Sequence, residues 1–206
     1  MAEAKHRGQV DTAAKVLDVA ERLLQIRGFN GFSYADVAAE LHLTKASLHY
    51  HYAGKAELGE ALISRYAERF STALAEIDTR PVDAPAKLEA YATLYANVLR
   101  AKRMCLCGML AAEYRTLPKP MQAAVIRFFD ENEAWLAKVL VQGEDEGSLR
   151  FTGSPSEAAR MIVSVLEGAM LVSRPYGDID RFEAAAGGVL ASLAAPTSTS
   201  AGAKKA

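Results

Sequence analysis

Apolar residues recur at intervals of three and four along almost the whole chain, and β-branched alternation is scarce. That period predicts an all-α protein of about nine helices. The first runs from about Val10 to Arg27, with Val16, Leu17, Ala20, Leu23 and Leu24 on one stripe, and stops at Gly28, a residue suited to a left-handed cap. Ser33, with Asp36 three positions on, opens a short second helix that ends near Leu41, and Thr44 caps a third to about His51. Two short helices joined by a tight turn behind a longer one form a helix-turn-helix arrangement, here with His42 where that turn often has glycine. A long helix follows from Lys55 to about Ile77, with Leu58, Leu62, Tyr66, Phe70, Leu74 and Ile77 at helical spacing. At roughly 1.5 Å per residue it is long enough to connect two units.

Pro81 and Pro85 break the pattern, and Asp83 caps a helix from about Ala84 to Ala101. Further helices are expected over Met104–Arg115 and Lys119–Glu146, the second closed by Gly147. Ser154-Pro155-Ser156-Glu157 combines an N-cap, a proline in the first turn and a capping glutamate, and opens a helix to about Ser173. A last helix spans about Asp178 to Leu193. The expected organisation is an N-terminal arm and three-helix helix-turn-helix domain over 1–54, a larger helical ligand-binding and dimerisation domain over 55–195, and a disordered tail over 196–206, whose PTSTSAGAKKA has too few apolar groups to order itself.

Half of the 206 residues are hydrophobic, enough for a core without staples. A net charge of −1 gives no field to hold nucleic acid indiscriminately, though it leaves room for a small basic face. Cys105 and Cys107, the two cysteines, are too close for a disulfide framework and too few for a tetrahedral metal site, which fits a reducing compartment. With no eighteen-residue apolar run and no secretory-type start, the expectation is a cytoplasmic protein with no membrane partner. No nucleotide-binding, nucleophile-elbow or zinc-protease motif is present, so the chain is not expected to be an enzyme or to hold a cofactor. His49 and His51 splay apart on a helix and make a poor zinc pair.

The segment LTKASLHYHYAGKAEL, Leu43 to Leu58, holds two of the four histidines, His49 and His51. At about 100° per residue, Lys45, Ala46, His49 and Tyr50 share one face while Leu48 points away as an apolar anchor. A cation, a small residue and two hydrogen-bonding rings suit base edges and phosphates in a major groove, and Lys55 stands ready for a further phosphate. The plainer alternative is an amphipathic turn whose polar residues face solvent.

Gly28-Phe29, Ser33, Asp36-Val37-Ala38 and the run Leu43 to Tyr52, with Lys55 and Leu58, resemble the N-terminal pattern of TetR/AcrR-type one-component transcriptional regulators. His49 departs from that family's frequent tyrosine, and Tyr52 from its phenylalanine. The resemblance implies DNA contacts from Ser33, Tyr34, Lys45, Ser47, His49, Tyr50 and Lys55. It also implies a homodimer on a palindromic double-stranded operator, and a repressor released by a small hydrophobic or electrophilic effector. An all-helical enzyme or a structural helical adaptor without DNA binding is the alternative.

The penultimate helix is apolar on more than one face, and Ser164 and Gly168 lie one turn apart on it. Gly187-Gly188 interrupts the last helix, where glycine costs up to about 1 kcal/mol unless a close crossing offsets it. A four-helix dimer interface is expected from Ser164, Val165, Gly168, Ala169, Gly187 and Val189, the alternative being glycines packed within one subunit. The middle helices are rich in adaptable side chains, which are commonly core. The resemblance makes them the walls of an inducer cavity, lined by Tyr66, Tyr95, Cys105, Met109, Tyr114, Phe128, Trp135 and Met170. Lys102 and Arg103 precede Cys105 and would favour its thiolate. CLCGMLAAE is similar to the corresponding segment of family members that respond to electrophiles or oxidants, making Cys105 and Cys107 possible redox sensors; small buried hydrophobes are the alternative.

Overall fold

The structure is a computed structural model that describes residues 2–196, with side chains from Thr12 onward. Among the described residues nine α-helices follow one another: α1 Ala2–Arg27, α2 Tyr34–Leu41, α3 Lys45–His51, α4 Lys55–Asp78, α5 Ala84–Arg100, α6 Leu106–Ala112, α7 Lys119–Asp145, α8 Pro155–Ser173 and α9 Ile179–Leu193. The expected tail lies, beyond Pro196, outside the described residues.

The caps explain most boundaries. Gly28 closes α1 at φ 85°, a conformation that excludes most side chains, and a Cβ there would meet a Glu113 carboxylate oxygen at 2.7 Å. Ser33 and Asp36 form a complete capping box on α2, as Ser154 and Glu157 do on α8. Thr44 and Asp83 cap α3 and α5 through their side-chain oxygens. His42 takes the left-handed conformation, φ 54°, that the turn between α2 and α3 demands in place of glycine.

Two boundaries differ from the periodic reading. α1 begins at Ala2 rather than near Val10, because the preceding residues include good helix formers. The helix expected over Met104–Arg115 is the shorter α6 followed by a one-turn 3₁₀ segment, Tyr114–Thr116. Met104 lies outside it, its N–H donating to the Gln25 carbonyl at 3.2 Å while Gln25 Nε2 donates to the Met104 carbonyl at 3.0 Å. Those bonds across the seam offer the backbone an alternative to a first helical turn.

α1, α2 and α3 form a small unit whose apolar face includes Val16, Leu24, Val37 and Leu48, each at 0% exposure. α4 leaves this unit and packs against α7 and α5, and α8 lies between α7 and α9. One apolar cluster runs without interruption from Val16 to Leu193. An isolated antiparallel bridge, Leu149 to Ala194, ties the end of α9 to the loop after α7.

Candidate functional site

Leu48 is wholly buried, so α3 is held with its opposite side outward. Lys45, Ala46, His49 and Tyr50 are all exposed, Tyr50 at 72%. Ser47 is half-buried beside them, and its N–H donates to Thr44 Oγ1 at 3.2 Å. Ser33 is exposed at the start of α2, its hydroxyl and N–H both donating to Asp36 Oδ2 at 2.6 and 2.7 Å. Those bonds hold the Asp36 carboxyl below its ordinary range.

Two of the expected DNA contacts turn inward. Tyr34 is 8% exposed and its hydroxyl donates to the Tyr52 carbonyl at 2.9 Å, with burial pushing the phenol up to about 12. It supports the exposed face of α3 from beneath, its ring centroid 4.7 Å from that of His49. The Lys55 ammonium sits 4.7 Å over Phe29 and 4.5 Å over Phe32 and donates to the Phe32 carbonyl, so burial lowers its pKa. Its donors and ring contacts clamp the loop before α2 to the first turn of α4 instead of standing open to a phosphate. Their polar tips made both look like surface groups, and only tertiary neighbours could show otherwise.

On α8, Met161, Leu171 and Val172 are 42%, 59% and 61% exposed, with Ser164 and Gly168 open between them and Val165 and Ala169 half-buried at the edge. A Cβ added at Gly168, Gly187 or Gly188 would meet no atom of this chain within 4 Å. The glycines are thus not packed within their own subunit, which removes the alternative reading. Val189 is corrected: at 8% exposure it packs inside its own chain, because it lies on the α9 face shared with Phe182, Ala186 and Leu193.

The interior of the larger domain is an aromatic wall. Tyr91 stacks on Trp135 at 5.6 Å, and Phe70 meets Tyr91, Tyr95 and Phe128 edge-on. The Tyr91 hydroxyl donates to Asn132 Oδ1 at 3.1 Å and lies 3.1 Å from the Tyr95 hydroxyl. Outside this wall, α4 and α7 leave a groove of about 890 Å³ bounded by Ser64, Ala67, Ala124 and Phe128, continued by one of about 360 Å³ bounded by Phe70, Asn132 and Trp135. Trp135 is half-buried at the second groove, whereas Phe128, though it borders both, is only 2% exposed, and Tyr66, Tyr95, Cys105 and Met170 are likewise buried. Met109 and Tyr114 belong elsewhere: Arg174 lies 3.4 Å from the Met109 sulfur, and the Tyr114 carbonyl accepts from Gln122. Met109 lies on α6, which packs against α1, and Tyr114 opens the 3₁₀ turn that follows α6.

Cys105 and Cys107 are both buried, at 1% and 0% exposure. Cys105 is the N-cap of α6, its sulfur accepting from the Gly108 N–H at 3.4 Å. Burial first, and the Glu167 carboxyl second, push both thiols well above their ordinary range. The expected thiolate-favouring field of Lys102 and Arg103 is outweighed, since desolvation penalises the charged form directly. Glu167 itself is pushed up to about 7 by burial, and its Oε1 is enclosed without a hydrogen-bond partner. The sequence reading passed over this residue, although an acid inside the apolar run of α8 was the available signal.

Glu113 was also passed over. Its carboxylate accepts from the Phe29 N–H at 2.6 Å and the Asn30 N–H at 3.2 Å, and Asn30 Nδ2 donates to Thr116 Oγ1 at 2.8 Å. The Arg174 guanidinium donates to the Ile26 carbonyl in the same seam. α6 therefore links the cysteine-lined interior at one end to the loop beneath the helix-turn-helix at the other.

Residues 16–62 match the family model described as bacterial regulatory proteins, tetR family, and residues 84–189 match the tetracyclin repressor-like C-terminal domain. A transcriptional regulator of the TetR family from Agrobacterium tumefaciens has a crystal structure that superposes with a TM-score of 0.88, at 30% identity over 91% of this chain and 100% of that one. The HTH-type transcriptional repressor DhaR of Mycobacterium sp. (strain GP1) is 23% identical over 76% of this chain and 80% of its own. The repressor NemR of Escherichia coli (strain K12) is 24% identical over 82% and 89%.

Proposed function

The chain belongs to the TetR family of bacterial regulatory proteins, DNA-binding transcriptional regulators, and from this we propose a dimeric repressor that reads a palindromic operator and is released by a small hydrophobic effector. The observation that carries the reading is the outward face of Lys45, Ala46, His49 and Tyr50 on a short helix anchored by the buried Leu48. Two such faces, related by a twofold axis through α8 and α9, would enter successive major grooves. DhaR and NemR are named as repressors, which supports the same direction of control here.

The effector is proposed to enter between α4 and α7, where Phe70 separates the groove from the Tyr91–Tyr95 pair. α4 runs from the Lys55 clamp to this wall, so a ligand that shifts Phe70 moves the helix that carries the reading head. A hundredfold preference of the ligand for the shifted conformation, about 2.7 kcal/mol, weakens operator binding by the same factor. Selection of duplexes from a random pool is the test. The expected product is an inverted repeat with half-site centres about one helical turn or a multiple apart, and affinity falling steeply with salt. Retention of no duplex, or of duplexes without symmetry, overturns the proposal.

The thiols are proposed to be packing groups in this conformation. Treatment of the native protein with a maleimide is expected to leave operator affinity unchanged, with Cys105 and Cys107 reacting only as the domain opens. Loss of binding in step with modification, followed by mass spectrometry, would instead make one of them a sensor.

A further inference from the structure

His49 is fixed in one tautomer by its surroundings. Its Nδ1 lies 3.1 Å from the Ala53 carbonyl oxygen, which can only accept, so the neutral ring carries its proton on Nδ1. Nε2 is then a lone pair. Among the described residues this nitrogen meets no partner, and His49 is exposed on the face it shares with Lys45. The ring cannot easily turn over to present the other nitrogen. Tyr34 packs against it with centroids 4.7 Å apart and is itself tied to the Tyr52 carbonyl. Ala53 is pinned in turn, its N–H donating to Glu57 Oε2 at 2.8 Å.

An outward lone pair repels a phosphate oxygen and attracts a donor. In the major groove the base-edge donors are the exocyclic amino groups, N6 of adenine and N4 of cytosine; guanine and thymine offer acceptors and a methyl group there. Resting on the DNA-reading face proposed above, we infer that His49 is a specificity-determining residue that accepts, through Nε2, a hydrogen bond from an adenine or cytosine amino group in each half-site. Where a tyrosine hydroxyl would serve as donor or acceptor, this histidine selects a donor.

The test compares the wild type with His49→Phe, which keeps a ring on Tyr34 and removes the acceptor, by duplex selection at pH 8, above the usual titration range of imidazole. The wild type is expected to select adenine or cytosine at one position per half-site, and the variant to lose that preference. Replacing that base by purine or pyrimidin-2-one, which lack the amino group, should weaken the wild type about five- to tenfold and leave the variant unaffected. If His49→Phe weakens every duplex equally with its base preferences intact, the imidazole meets the backbone and the inference fails alone. If the wild type retains no duplex at all, the DNA-reading face fails, and this inference with it.

Discussion

Gly168→Arg is expected to turn the protein into a monomer and to lower its operator affinity by about two orders of magnitude or more, the loss that follows when two half-site contacts are no longer linked. The position is open in the single chain, with no atom within 4 Å of an added Cβ, so the arginine strains nothing in its own subunit. Its neighbours Met161, Leu171 and Val172 are exposed apolar side chains, so in a dimer built on this stripe the guanidinium would be buried against hydrocarbon without a counter-charge. Sedimentation should report half the wild-type mass with unchanged helical content and melting behaviour. A variant that remains dimeric would place the interface on another surface.

The second large effect concerns the seam between the domains. Glu113→Ala removes the acceptor of two backbone N–H groups, Phe29 and Asn30, at the loop that precedes the helix-turn-helix. Hydrogen bonds to a charged group contribute about 1.5–3 kcal/mol each, and since the exposed Asn30 N–H exchanges its bond for one to water, the loss expected is mostly that of the Phe29 bond, roughly 2–3 kcal/mol. Glu113→Gln keeps one carbonyl acceptor and should fall between. Denaturant unfolding measures the loss, and hydrogen exchange at the Phe29 and Asn30 amides localises it. Because α6 joins this carboxylate to Cys105, the alanine variant should also respond less to any effector that loosens the operator complex. Unchanged stability and exchange in Glu113→Ala would mean that the seam is held by its other contacts, among them those of Gln25 with Met104, Arg174 with Ile26, and Arg65 with Asp18 and Glu21.

The helices, most of their caps and the outward face of α3 were legible in the sequence, because they depend on intervals within one segment. Leu48 as an anchor, the capping residues Ser33, Thr44, Asp83 and Ser154, and the stop at Gly28 all came from residues at most a turn apart. The outward open stripe of α8 was visible for the same reason: its apolar residues cover more angle than one neighbour can bury. The segment around Cys105 was misread, because the bonds that displace its first helical turn come from Gln25, in another helix.

By itself the sequence determined an all-helical chain with a helix-turn-helix and a family pattern, since helical period and capping chemistry are local. Only the tertiary structure decided that Tyr34 and Lys55 are held by partners within the chain, that Val189 faces the core, that the half-buried Glu167 stands beside two buried thiols, and that Glu113 ties α6 to the loop before α2. A polar or charged side chain carries no mark of the neighbour that will meet it. Partners such as Glu113 and Phe29, far apart along the chain, come together only when the helices pack, and burial and pairing then set what each group can do.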